Sequence, residues 1–178
     1  IEDDKIEYVS AEDLWGKDCY ATDDILRQKI GDPWKAKEYS IACIGPAGEK
    51  GANIAAVIID KHNAAARCGI GAVMGSKNIK AIMINGTKGV RVADSDGYIT
   101  AMTEVLEHVK QSHGSMESFP KYGSAGILHI YNEVGMLATR NYQTGVFEHA
   151  ADIGGEAMAS KHLRKIRACF SCPQSCGG

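Results

Sequence analysis

Aromatic side chains are scarce: 2 Trp, 3 Phe and 7 Tyr make up 7% of the 178 residues, and there are only 4 prolines. Neither sign of charge dominates. With 20 Lys and Arg against 22 Asp and Glu the formal net charge is -2, so no basic field favours nucleic acid or an anionic membrane surface. The longest apolar stretches, such as Ala55 to Ile59, fall far short of the roughly 20 residues that span a bilayer, and no signal-peptide pattern opens the chain. The sequence thus argues against nucleic-acid and membrane partners. Internal repeats and low-complexity segments are missing. The six histidines, His62, His108, His113, His129, His149 and His162, are dispersed without H-x3-H or H-E-x2-H spacing, and none is assigned a role. What is present is 44% hydrophobic and 24% charged residues, enough for one or two small cores of a soluble protein. The opening Ile1 and the cysteine cluster at the very end read as a piece of something longer.

The first half reads as strand-rich. Lys5 to Val9 alternates like a short strand, Ser10 and Asp13 suggest a capped turn through Leu14 and Trp15, and Thr22 opens a helix that Gly31 and Pro33 terminate. Tyr39 to Ile44, Asn53 to Asp60 and Lys80 to Ile84 have strand character, with Gly45-Pro46-Ala47-Gly48-Glu49 a turn between the first two. The second half is mainly helical. Asp94 or Ser95 caps a helix with Ile99, Met102, Leu106 and Val109 on one face, a second helical pattern runs from Ile127 to Gly135, and a third covers Glu156 to Ile166. The fold class is therefore α+β, a strand-rich domain over residues 1–90 followed by a mainly helical domain over 91–178.

Two constellations carry chemistry. The first is C-x2-C-P-x2-C, formed by Cys169, Cys172 and Cys176. One turn with this spacing aims three thiolates at a point, which suits an iron–sulfur cube with its fourth ligand elsewhere. Zinc is the rival, although paired knuckles are missing, and plain thiols are the bland alternative. The order of gaps is the reverse of the C-x3-C-x2-C of S-adenosylmethionine radical enzymes. Cys19, Cys43 and Cys68 are scattered singly and read as buried free thiols in a reducing, cytoplasmic setting.

The second constellation is Ala64 to Asn78. Its glycines admit close backbone approach to an anion, and Arg67 and Lys77 supply charge for phosphate. The spacing matches neither a P-loop nor a dinucleotide fingerprint, and a tight turn packing a helix on a strand is the competing explanation.

Ile44-Gly45-Pro46-Ala47-Gly48-Glu49, Gly71-Ala72-Val73-Met74-Gly75-Ser76-Lys77-Asn78, Thr139-Arg140-Asn141-Tyr142 and the cysteine cluster, in that order, resemble the aldehyde:ferredoxin oxidoreductase family. Leu14-Trp15-Gly16-Lys17 and Gly154-Gly155-Glu156 fit as well. The resemblance implies an anaerobic oxidoreductase with a tungsten or molybdenum bis-pyranopterin, magnesium bridging the pterin phosphates and a [4Fe–4S] cluster. Both domains would be incomplete, the first being part of the base on which the pterins sit. By position, Arg67, Cys68, Gly69 and Gly71 match the pterin-binding segment, while Cys169, Cys172 and Cys176 match cluster ligands whose fourth member lies downstream of Gly178. The implied reaction oxidises an aldehyde to a carboxylic acid and passes electrons to ferredoxin or another iron–sulfur carrier, in a homodimer or hetero-oligomer. The alternatives are the tungsten subunit of an aromatic acyl-CoA reductase complex, with an acyl-CoA substrate, and a non-catalytic iron–sulfur or zinc module. Asn63 stands where family members commonly carry arginine, and Lys50 where asparagine often follows Gly-Glu. No catalytic acid or base is identified, because the family's acidic and imidazole groups near the metal lie outside this stretch.

Overall fold

A four-residue strand, β1 (Ser40–Cys43), organises the first part of the protein because its side chains alternate between two buried surfaces. The computed structural model describes residues 1–176, and the side chains of all of these except residues 113–117. The chain divides into two compact units, Ile1–Val90 and Arg91–Gly178.

In the first unit, helix α1 (Cys19–Ile30) precedes β1, and the short helix α2 (Pro46–Glu49) follows it. Strands β2 (Val57–Ile59) and β3 (Asn63–Ala65), helix α3 (Ile70–Ser76) and strand β4 (Ala81–Ile84) complete the unit. The sheet is antiparallel throughout, in the order β3-β2-β1-β4, with Ile41 opposite Met83 and Ala42 opposite both Ile82 and Ile59. The alternation divides the core. Ile41 packs with Leu14 and Leu26, joined by Ala81 and Met83, while Ile44, Val57 and Met74 gather with Ala42, Ala65 and Ile82. Both faces of this small sheet are therefore covered, α1 supplying Leu26 on one side and α3 supplying Met74 on the other. Each such aliphatic side chain contributes about 1.5–3 kcal/mol on burial.

Helix α1 begins three residues before Thr22. Asp18 is the cap, accepting the N–H of Ala21 at 2.8 Å, and the buried Thr22 hydroxyl donates to the Asp18 carbonyl at 2.7 Å. Lys5 to Val9 is not a strand. Only bridges of Glu2 to Lys5 and Asn85 form there, and Ile6, Tyr8 and Val9 are exposed. Alternation alone makes no strand where the backbone lacks a ladder partner.

The second unit is helical. Helix α4 (Ser95–Gln111) is capped by Asp94, which accepts the Gly97 N–H at 3.0 Å. Its apolar stripe is in register with expectation, yet none of its residues is buried. Helix α5 (His113–Tyr122), with Pro120 inside it, escaped the sequence reading because Gly114 and Pro120 both look like stops. A 3-10 turn (Gly123–Ile127) leads to α6 (Leu128–Glu133), α7 (Ala150–Ile153) and α8 (Gly155–Lys161). The helix expected to reach Ile166 ends five residues earlier. The chain is thus α+β, with its sheet in the first unit and helices dominating the second. Among the described residues no helix is long and apolar enough to cross a membrane.

Candidate cofactor site

The glycine-rich segment begins where β3 ends and turns sharply into α3. Cys68 at φ 65° and Gly69 at φ 64° are consecutive left-handed residues, and they reverse the chain before Ile70 starts the helix. The helix is then drawn unusually close to its neighbours. A Cβ on Gly75 would lie 2.0 Å from the Gly48 carbonyl oxygen, and one on Gly71 would lie 2.7 Å from the carbonyl oxygens of Ala55 and Ala56. Only hydrogen fits at either position. The Gly71 N–H donates to the Ala55 carbonyl at 3.0 Å. Gly71 is therefore committed to internal packing on both counts.

The groups left facing outward are those just upstream. Arg67 and Cys68 are exposed, and among the described residues the N–H groups of Arg67, Cys68, Gly69 and Ile70 have no acceptor. The Arg67 guanidinium likewise has no partner among them. Such a set suits an anion: one planar, permanently charged fork beside several free amide donors. The exposure of Cys68 corrects its reading as a buried thiol, because its left-handed backbone turns it away from the sheet.

The sequence reading missed the group that braces this platform. Lys80, entering β4, is fully buried and forms an ion pair with Glu49 of α2, whose side chain is only 5% exposed. Glu49 also accepts the Gly16 N–H through both oxygens at 2.9 Å, and Lys80 donates to the Lys17 carbonyl at 2.7 Å. One buried pair thus ties the Trp15-Gly16-Lys17 turn, α2 and β4 together. The only available signal was a lysine heading an apolar run and a glutamate closing a Gly-Pro-Ala-Gly turn.

A second network anchors the start of β1 and the end of β2. Arg27 bonds Asp23 at 2.8 Å and Asp60 at 2.9 Å and donates to the Ala36 carbonyl at 2.6 Å, while Asp60 accepts from the Ser40 hydroxyl and the Ile41 N–H. The Asp23 hydrogen bond, followed by the charges of Asp23 and Asp60, raises the Arg27 pKa against the opposing effect of burial.

Cys19 and Cys43 are not isolated. The Cys43 thiol lies 3.6 Å from the Cys19 carbonyl, and the Cys19 thiol 3.9 Å from that of Cys43. Burial pushes the Cys43 thiol up to about 12, with the neighbouring Cys19 adding to the shift. Such a thiol stays protonated and structural.

In the second unit Cys169 is exposed, Cys172 and Cys176 are half-buried, and all three are free thiols. The Cys172 N–H donates to the Cys169 carbonyl at 3.0 Å, closing a turn, and Ser171 and Ser175 both take left-handed backbone one residue ahead of a cysteine. The donor set suits an iron–sulfur cluster. Among the described residues, however, no group of three or more His, Cys, Asp or Glu side chains is gathered in a metal-holding arrangement. The loop brings the three thiols into one short span without converging them.

Thr139 to Tyr142 forms a second distinctive turn. Thr139 and Thr144 exchange backbone hydrogen bonds, and Arg140, Asn141 and Tyr142 are all left-handed. Arg140 pairs with Glu148.

Residues 1–86 match the family model of the aldehyde ferredoxin oxidoreductase N-terminal domain, and residues 100–178 match that of aldehyde ferredoxin oxidoreductase domains 2 and 3. The tungsten-containing aldehyde ferredoxin oxidoreductase of Pyrococcus abyssi is 45% identical over 177 residues, which cover 99% of this chain and 28% of that protein. The enzyme of the same description from Thermococcus kodakarensis is 42% identical, with 99% of this chain and 29% of that protein covered. Among solved structures, the active-site complex BamBC of benzoyl-coenzyme A reductase with 1,5-dienoyl-CoA matches with a TM-score of 0.75 and 28% identity, over 99% of this chain and 28% of that one. The chain therefore spans less than a third of the length of the curated relatives it matches. Since domains of one family match the two parts of the chain in order, this polypeptide belongs to the aldehyde ferredoxin oxidoreductase family.

Proposed function

We propose that this chain is part of a cytoplasmic tungsten or molybdenum enzyme that oxidises an aldehyde and water to a carboxylic acid, releasing two electrons and two protons. The observation that carries the reading is 45% identity, along 99% of the chain, to a tungsten-containing aldehyde ferredoxin oxidoreductase. When bound, the metal held by two pyranopterins supplies the two-electron chemistry, and a [4Fe–4S] cluster supplies single-electron relay to ferredoxin or a similar carrier.

The residues of this chain orient and hold those groups. Arg67 would hold pterin phosphate through its permanently charged guanidinium, supported by the free N–H groups of Cys68 and Gly69, with magnesium as a further counter-charge. Gly71 acts one step back, locking α3 against the carbonyls of Ala55 and Ala56 so that the Arg67 turn keeps its place. Cys169, Cys172 and Cys176 are three of the four cluster ligands.

A second reading, the tungsten subunit of an aromatic acyl-CoA reductase complex, draws on the likeness to the benzoyl-coenzyme A reductase complex. The lower identity of that match, 28% against 45%, favours aldehyde oxidation. Metal analysis of the full-length enzyme and an assay with aliphatic and aromatic aldehydes and a low-potential dye test the proposal. Tungsten or molybdenum with about four irons per chain and dye reduction by an aldehyde are expected. Zinc alone overturns it. Inactivity toward every aldehyde, with a second iron–sulfur subunit co-purifying, moves the assignment to the reductase.

A further inference from the structure

The chain leaves α5 through Gly123, whose backbone takes φ 61° and ψ -160°. That region is essentially reserved for glycine. A Cβ built on Gly123 would stand 2.9 Å from the carbonyl oxygen of Cys176, well inside an ordinary van der Waals separation. The backbone of the last cysteine of the motif therefore lies directly against Gly123.

The corner that carries Gly123 is itself firmly seated. A Cβ on Gly155, at the start of α8, would lie 2.8 Å from the Cα and N atoms of Gly126 and from the Cβ of Tyr122. Residues Tyr122 to Gly126 are thus clasped by α8 and meet Cys176 through Gly123. The cysteine motif, by contrast, is unequally self-supporting. Cys169 and Cys172 are joined by their own turn, at 3.0 Å, whereas among the described residues no backbone hydrogen bond ties Cys176 to either. Pro173, between them, has no N–H to offer.

We infer that Gly123 is a positioning residue for the third cysteine of the iron–sulfur motif, an inference that rests on the proposed role of Cys169, Cys172 and Cys176 as cluster ligands. A side chain at position 123 displaces the Cys176 backbone, and with it the anchor from which the Cys176 thiol would reach a cluster shared with Cys169 and Cys172. Ligand positions must hold to about 0.5 Å, so the consequence is loss of cluster rather than a general loss of fold.

The test compares full-length Gly123→Ala, Cys176→Ser and unaltered enzyme for iron and acid-labile sulfide per chain, with far-ultraviolet circular dichroism and tungsten content as measures of folding. Gly123→Ala should retain the dichroism and tungsten of the parent while its iron falls at least about twofold, a loss of the kind seen when partners that orient metal ligands are removed. A folded Gly123→Ala enzyme with parental iron overturns the inference. If Cys176→Ser loses iron in the same series, the ligand assignment stands and only the role of Gly123 is refuted; if Cys176→Ser keeps full iron, the ligand assignment itself fails and takes the inference with it. Should Gly123→Ala not fold, hydrogen exchange in the parent decides. Chelating the iron should speed exchange over residues 122–127 if this corner holds Cys176, and unchanged exchange there refutes it.

Discussion

Lys80 and Glu49 form an ion pair sealed from solvent, with side-chain exposures of 0% and 5%, at the meeting point of β4, α2 and the turn before α1. Every polar atom of the pair is also used. Lys80 reaches the Lys17 carbonyl, and Glu49 receives the Gly16 N–H. A buried pair adds little net stability compared with a well-packed apolar substitute, but removing one partner strands a charge in the core.

Lys80→Met should accordingly destabilise the protein by about 3–5 kcal/mol, read as a lowered midpoint in chemical denaturation. Combining it with Glu49→Leu should recover much of that loss. A single variant as stable as the parent would show that the pair is not buried in solution.

Gly75→Ala tests the close approach of α3 to α2. The added methyl meets the Gly48 carbonyl at 2.0 Å, where backbone rather than a flexible side chain must yield. A cost at the upper end of the 1–3 kcal/mol usual for overpacking, or about 3 kcal/mol, is expected, seen as a lower melting temperature and reduced soluble yield. An unchanged melting temperature refutes the packing.

Arg67→Ala separates cofactor holding from folding. Its guanidinium has no partner among the described residues, so the unfolding free energy of cofactor-free protein, read by chemical denaturation, should stay within about 0.5 kcal/mol of the parent, as for ordinary surface changes. Tungsten and pterin content of the full-length enzyme should fall. Gly71→Ala should do the reverse in order, losing stability first, since its Cβ meets two carbonyl oxygens at 2.7 Å. Parental pterin content in Arg67→Ala refutes the phosphate contact and leaves the family membership untouched.

Cys43 should resist alkylation. Burial pushes its thiol up to about 12, so at a pH of about 9, where an ordinary cysteine is largely thiolate, iodoacetamide should leave it unmodified in native protein and label it after denaturation. Peptide mass spectrometry reads both states. Rapid native labelling would mean that the environment of Cys43 is open.

Much of the protein is legible locally. Asp94 as a helix cap, the strands around Ile41 and Met83, and the shift from sheet to helix near residue 90 all follow from short-range chemistry: side-chain oxygens beside free N–H groups, alternation of apolar residues, and helical spacing. The ordered motifs Gly45 to Glu49, Gly71 to Asn78 and the cysteine cluster were sufficient to point to the family. What the chain alone did not disclose depends on partners distant in sequence. Lys5 to Val9 has strand alternation but no strand beside it; Glu49 looked like a turn residue until Lys80, 31 positions away, met it in the core. The glycines of the Ala64 to Asn78 segment show the same division. Their identity announced close approach, but whether to a ligand or to the protein's own backbone depends on where α2 and residues 53–56 come to lie. Tertiary packing set Gly71 and Gly75 against carbonyls of the chain itself and left Arg67 and Cys68 facing outward. Local sequence specifies which conformations a segment prefers, whereas burial and desolvation are properties of the neighbours that folding assembles around it.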